Sequence, residues 1–384
     1  MISNLKNIIK FFTYYLIDSF IKQSKVIKPN SLLLIRLDAI GDYILFRNFI
    51  KSLRNDKKYK KYSITLLGNE TWRSFAEEHD HYFVDNFIWL DRSRFTKNIF
   101  YRIKKLQELV SCGYEIVINP VYSREFFIGD NIIKHINARE KIGSAGDLSN
   151  IKKWQKKISD NYYDTLIPSR AEVMFEFERN KEFFENLFDT KLDMIKLNLD
   201  KIQMRLRCEL PKKYAILFIG ANDSNRKWSI EKFLEAANYL NRQYGYDIVL
   251  CSTSTDNKKA YKLEKSYNGK LLNLVGKTSL RELSTVILNS ELILSNETSA
   301  PHIAAALGMR NIFVISNGRS YGRFTPYPKD ISKNFHVIYH PVMDKNLDNH
   351  RKLRNNYKFK SNLNIDDISF KMVKGRIDAV LTNE

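Results

Sequence analysis

Four short stretches of this chain set chemically capable residues beside glycines or at the starts of helices. Residues 295–308 read SNETSAPHIAAALG and follow a short apolar run at 292–294. Ser299 is a natural N-cap for the alanine-rich helix that follows, Pro301 fits its first turn, and Gly308 is placed to end it. Glu297, Thr298 and His302 then gather where the helix begins. A helix start offers unpaired N–H groups and partial positive charge, which suits a phosphate or diphosphate; an ordinary strand–helix crossover would show the same pattern. Residues 32–42 (LLLIRLDAIGD) run from an apolar strand into a turn where Gly41 lets the backbone approach a ligand and Asp42 stands at a helix start. That carboxylate reads either as a plain N-cap or as a group directed at a ligand. Residues 220–227 (GANDSNRK) open on Gly220 and close on Lys227 just before Trp228; a lysine so placed is by itself a solvated residue. Residues 317–326 (NGRSYGRFTP) put Arg319 and Arg323 beside glycines, where Arg323 reads as a contact for a phosphate or acidic acceptor, or as a surface arginine.

The elements that must position these groups alternate between strand and helix. Apolar runs at 32–37, 64–67, 87–90 and 115–119 read as strands, with helical spacing at 43–54, 70–78 and 98–111 between them. The polar, lysine-bearing region 144–160 reads as a mobile loop, and 172–188 as a long helix followed by a connection over 189–210. A second series opens at 214–219 and continues through helices at 229–243, 256–267 and 280–289 and strands at 247–251 and 311–315, with a terminal helix at 364–381. Two such series predict two Rossmann-like, doubly wound α/β domains facing each other across a cleft, with ligands beyond the carboxyl ends of the strands.

Residues 2–20 look at first like a membrane span, but Lys6, Lys10 and Asp18 interrupt the apolar run. On a helix, Leu5, Ile8, Ile9, Phe12, Tyr15, Leu16 and Phe20 share one face, with Lys6, Asn7, Lys10, Thr13 and Asp18 largely on the other and Lys22, Lys25 and Lys28 after it. That is an amphipathic helix suited to peripheral membrane contact or to packing on the body of the protein. The formal charge of +20 favours anionic partners, although lysine-rich coding bias produces the same balance. No nucleic-acid module signature is present. Cys112, Cys208 and Cys251 lie far apart and fit a reducing compartment. No G-x-G-x-x-G, no intact Walker motif, no H-E-x-x-H and no G-x-S-x-G occur, which argues against a dinucleotide dehydrogenase, a P-loop enzyme, a zincin and an α/β-hydrolase.

Taken together and in order, these stretches resemble the heptosyltransferases, glycosyltransferase family nine. Residues 32–42 look like that family's opening strand and glycine–aspartate turn, and 220–233 like its glycine–polar–Lys–Trp loop. Residues 273–283 (NLVGKTSLREL) resemble its leucine–Gly–Lys–Thr–Ser–Leu stretch, and 295–308 its acidic–Thr–Gly–x–x–His–x–Ala–Ala–Ala–Leu signature. The resemblance spans about residues 30–320 and implies a GT-B fold. It divides the chain into an N-terminal helix (1–28), an acceptor domain (29–200), a donor domain (211–345) and a C-terminal tail with its helix (346–384).

Carried over by residue, the resemblance makes Asp42 the general base for an acceptor hydroxyl and Lys227 the cation that neutralises a leaving diphosphate in place of a metal. Thr298, Ser299 and the N–H groups after them would hold the diphosphate, with Gly41 and Gly220 allowing close approach. Glu297 would bind donor-sugar hydroxyls, and His302 would contact the donor or brace its loop. Glu297 stands where the family carries Asp and Ser299 where it carries Gly, changes that reshape the sugar pocket. The implied protein is a bacterial, metal-independent, inverting glycosyltransferase with no cofactor, moving heptose or a related sugar from a nucleotide diphosphate (ADP-heptose in the family). Its acceptor would be a lipopolysaccharide or other anionic cell-envelope glycan, met at the cytoplasmic face of the inner membrane; no nucleic acid is expected as a partner. Two further readings fit the same features: a nucleotide-sugar epimerase of GT-B fold, and a non-catalytic basic protein that binds membrane or nucleic acid.

Overall fold

The computed structural model describes residues 2–22 and 24–382; Met1, Gln23, Asn383 and Glu384 lie outside them, as do the side chains of Ile2, Ser3, Asn4 and Lys6. The chain divides into two compact units, one of residues 1–172 and 177–195, the other of residues 173–176 and 196–384. Each is built on one six-stranded sheet whose strands all pair in parallel. The paired Rossmann-like sheets are those of a GT-B fold.

In the first unit the strands are β1 (Ser31–Arg36), β2 (Ser63–Asn69), β3 (Asn86–Leu90), β4 (Tyr114–Asn119), β5 (Ala138–Ser144) and β6 (Thr165–Ile167), in the order β3-β2-β1-β4-β5-β6. In the second they are β7 (Tyr214–Phe218), β8 (Asp247–Cys251), β9 (Leu271–Asn273), β10 (Leu292–Asn296), β11 (Ile312–Ser316) and β12 (Phe335–Tyr339), in the order β12-β11-β10-β7-β8-β9. The winding therefore reverses between β1 and β4 and again between β7 and β10, and a ligand crevice opens where a winding reverses. Strands β1, β7, β10 and β11 are buried along their whole length, which is why they read in the sequence as largely apolar runs.

Helical spacing at 43–54 predicted one helix, but the chain forms two, Ile40–Ile44 and Asn48–Asn55. The break has a local cause: the Leu45 carbonyl accepts from Asn180 Nδ2 at 3.1 Å, and Phe49 N–H turns to Phe46 instead. Region 144–160 is not the mobile loop expected of its polar composition. It carries the helix Lys153–Ser159, started by a bond from the Lys152 N–H to Gln155 Oε1 at 2.8 Å and anchored by Trp154 packing on Phe11 and Phe126. The C-terminal segment splits into a short turn, Ile365–Asp367, and a helix, Phe370–Leu381; Ile365, Ile368, Val373 and Ile377 complete the core of the second unit.

Candidate active site

In the second unit, β7 ends at Phe218, two residues before Gly220, and β10 runs into Glu297, Thr298 and Ser299, the two sides of the winding reversal. Asn296 ties them together. Its side-chain oxygen accepts from Trp228 N–H at 3.0 Å, and its amide donates to the Ile219 carbonyl at 2.9 Å. Trp228 itself is buried and donates its indole N–H to the Ile368 carbonyl at 2.8 Å, so the 220–228 loop is fixed at both ends. A Cβ at position 220 would lie 2.0 Å from Ser252 Oγ and 2.7 Å from Asp256 Oδ2, which explains the glycine. Lys227 Nζ donates to Asp256 Oδ1 at 2.6 Å, and Ser252 Oγ donates to the other oxygen of that buried carboxylate, also at 2.6 Å. Asp256 therefore sets the direction of the lysine, whose ammonium has three donors.

The helix after β10 is Ser299–Ala306. Thr298, not Ser299, is its N-cap: Thr298 is in extended backbone and Ser299 is the first helical residue. The Thr298 side chain makes no capping bond, no acidic residue stands in the first turn, and both Thr298 and Ser299 are partly exposed. Pro301 does sit in the first turn, where its missing N–H costs nothing. Gly308 ends the helix in a left-handed conformation (φ +73°), with its own N–H and that of Met309 bonded back to Ala305 and Ala304.

Glu297 and His302, both expected near the donor, are turned inward. The Glu297 carboxyl is 4% exposed and accepts from the Ser316 hydroxyl at the end of β11. Burial raises its pKa above the usual carboxylate range, against the pull of that bond and of Arg226 and Arg319. The His302 ring is buried, lies 2.5 Å from the Tyr327 hydroxyl and stacks near Tyr327 and Phe335; burial pushes its pKa down to about 4, so the ring is neutral. His302 thus braces the 317–327 segment from below the helix. Arg323, in that segment, donates to Glu176 Oε2 at 3.0 Å, and Arg319 pairs with Asp223 in the 220–227 loop.

In the first unit, Gly41 and Asp42 lie in the helix Ile40–Ile44 beyond the carboxyl end of β1, and Ala39, not Asp42, is the N-cap. The turn is held hard. Arg36, wholly buried, donates to Asp38 Oδ1 at 2.8 Å, to Asn180 Oδ1 at 3.0 Å and to the Asp42 carbonyl at 3.4 Å. Asn69 and Trp72 donate to the Asp38 carbonyl at 3.0 and 3.1 Å, and Tyr43 stacks on Trp72 at 4.2 Å. Asp42 stays partly exposed above this frame.

The supporting groups Asn296, Asp256, Ser252, Ser316, Arg36 and Asn180 were not singled out from the sequence. Arg36 and Asn296 sit inside the recognised stretches, whereas Asp256 and Asn180 are distant in sequence and carry no local signal.

The profile of glycosyltransferase family 9 (heptosyltransferase) matches residues 102–342, which contain Lys227 and the 295–308 stretch; Asp42 lies before them. No protein of curated function matches the sequence. Among solved structures, a family 9 glycosyl transferase from Veillonella parvula is 18% identical, covering 94% of this chain and 100% of its own, with a TM-score of 0.66. The E. coli heptosyltransferase WaaC with ADP-2-deoxy-2-fluoro heptose is 16% identical, covering 91% and 99%, with a TM-score of 0.64. E. coli ADP-heptose lps heptosyltransferase II is 16% identical, covering 92% and 99%, with a TM-score of 0.63. At these identities the structures establish the fold, and the family follows from a profile that spans more than half of the sequence. The chain belongs to glycosyltransferase family 9, the heptosyltransferases, and is a glycosyltransferase of GT-B fold.

Proposed function

We propose that this enzyme transfers heptose or a related sugar from a nucleotide diphosphate to a lipopolysaccharide or other cell-envelope glycan, with inversion and without a metal ion. The observation that carries this reading is the uncapped helix start at Thr298–Ser299, sharing a winding reversal with Gly220 and the lysine loop. The acceptor hydroxyl oxygen attacks the anomeric carbon as the bond from that carbon to the diphosphate oxygen breaks. Asp42 takes the hydroxyl proton; the electron pair of the broken bond leaves with the diphosphate, whose charge Lys227 and the first-turn N–H groups neutralise. Asp256 keeps Lys227 aimed at that position without using all of its donors.

ADP is the nucleotide favoured by family membership, and the E. coli WaaC structure that this fold resembles is described with an ADP-heptose analogue. Ser299, partly exposed, and Glu297, turned inward onto Ser316, are where this chain departs from the family, so the pocket around the donor is where specificity differs. The acceptor is an anionic glycan at the cytoplasmic face of the bacterial inner membrane, in keeping with the +20 charge. A thermal-shift screen of nucleotide-diphosphate sugars tests the reading. Stabilisation by an ADP-sugar above that by ADP alone is expected, while no response to any nucleotide sugar would reject it.

A further inference from the structure

The N-terminal helix Ile2–Asp18 packs on the first unit the wrong way round for a soluble protein. Its inward face carries the charge. Asp18 is buried and accepts from Arg102 Nε and Nη2 at 2.7 and 2.8 Å and from Asn131 at 2.8 Å. Burial alone would raise that carboxyl, but the bonds from Arg102 and Asn131, with the His135 ring nearby, outweigh it and hold its pKa well below the usual range. Tyr14 donates to the Thr96 carbonyl at 2.6 Å, Lys10 lies over the Phe127 ring, and Phe11 packs on Phe126 and Trp154. The outward face, by contrast, is apolar: Leu5, Ile8, Ile9, Phe12, Leu16 and Phe20 are all exposed, Phe20 at 74%. At the start of the helix Ile99–Cys112, Ile99 and Phe100 are exposed too. Single exposed apolar residues are ordinary, but a contiguous stripe on a firmly attached helix marks a surface that something covers.

Charge around the stripe says what. Lys134 stands over the ring of Tyr15, the edge of the stripe, at 5.0 Å, and Lys22, Lys25 and Lys28 follow the helix in exposed positions. Lys152 and Lys153 are exposed beside Trp154 on the Phe11 side. Two copies meeting stripe to stripe would press these rims together in a chain of net charge +20, whereas an anionic bilayer meets them with opposite charge. No helix among the described residues is long and apolar enough to cross a membrane, so the stripe lies along the surface.

We propose that this stripe is a docking surface for an anionic lipid bilayer, entered side-on while Asp18 and Arg102 keep the helix fixed to the first unit. The proposal deepens the membrane-borne acceptor suggested above but stands on residues of the first unit, whereas the donor residues belong to the second, so the two fail separately. The test is sedimentation of the full chain with vesicles of phosphatidylethanolamine and phosphatidylglycerol. Binding is expected there, weakening with salt, and not with vesicles of phosphatidylcholine alone. The combined variant Phe12→Asn, Leu16→Asn, Phe20→Asn, all at exposed positions, should lose about tenfold or more of that binding. Its thermal shift with ADP should match the parent, which shows that it folds and keeps its nucleotide site. Undiminished vesicle binding by this variant overturns the proposal. So does a parent chain that is dimeric and ignores vesicles while the variant is monomeric, since the stripe would then join two copies.

Discussion

The two units build the same topological position in opposite ways. In each, the strand across the winding reversal leads to a helix: Gly129–His135, after a loop of nine residues beyond β4, and Ser299–Ala306, two residues beyond β10. The first fills its own start. Asp130 sits in its first turn, fully buried, and accepts from Tyr163 at 2.7 Å with the Arg124 guanidinium 3.9 Å away. The second has no acid in its first turn and no side-chain cap, and its lysine loop stands across the reversal. One helix start carries its own acid; the other carries neither an acid nor a side-chain cap. The first unit instead offers a carboxylate, Asp42, on the β1 side of its reversal. A fold used twice thus carries the Asp42 carboxylate at one reversal and the lysine loop with an acid-free helix start at the other.

If that division is functional, the largest effect comes from removing the carboxylate. Asp42→Asn should lower transfer by about 10²–10⁴-fold while ADP binding by calorimetry stays near the parent value. Turnover close to the parent's would move the base elsewhere. On the other side, Lys227→Met should cost about 10²–10³-fold in kcat, with or without added magnesium, because it removes charge stabilisation of the leaving group. Restoration of activity by a divalent ion in the parent after chelation would reject the metal-free reading.

Beneath the second helix start, two buried groups titrate with opposite sign. His302 has an ordinary pKa of 6.5 that burial lowers to about 4. Between those values the unfolded chain binds the proton and the folded chain does not, so stability falls as pH drops from about 6.5 to about 4, by up to roughly 3 kcal/mol. Glu297, raised by burial, behaves the other way: its folded form keeps a proton that the unfolded chain has lost, so stability falls as pH climbs above the usual carboxylate range. Denaturant titrations across this range should show His302→Gln flattening the acid side and Glu297→Gln flattening the other. Parallel curves for parent and both variants would mean that neither group is buried as the structure has it.

Much of this was legible in the sequence, for a physical reason. Strands buried along their whole length, such as β7 and β11, read as apolar runs, and the glycines at 220 and 308 mark a close approach to Ser252 and a left-handed helix end. Strands buried over only part of their length or less left no such mark: β5 (Ala138–Ser144), β12, and the three-residue edge strands β6 and β9 were not foreseen. The amphipathic N-terminal helix was read correctly as a pattern, yet its orientation depends on Arg102 and Asn131, far along the chain. Pairings such as Lys227 with Asp256 and Leu45 with Asn180 are likewise set only once the sheet has closed. Local residues revealed where the groups stand; partners distant in sequence decide which way they point.

The smallest effect gives the most direct test of the contrast between the two helix starts. Ser299→Asp would place a carboxylate in the first turn of Ser299–Ala306, much as Asp130 stands in the first turn of its counterpart. Ser299 is partly exposed and the helix start lacks an acidic group, so the new charge favours the helix itself by about 0.3–1 kcal/mol and the fold should be retained or slightly stabilised. The same charge occupies the positive potential that a diphosphate would use and repels the ligand. Affinity for ADP should therefore fall about tenfold or more while the melting temperature without nucleotide holds or rises. Ser299→Asn, close in shape and uncharged, should leave ADP affinity near the parent value. Equal ADP affinity in the aspartate and asparagine variants would place the diphosphate away from this helix, and the two helix starts would then differ in structure without differing in function.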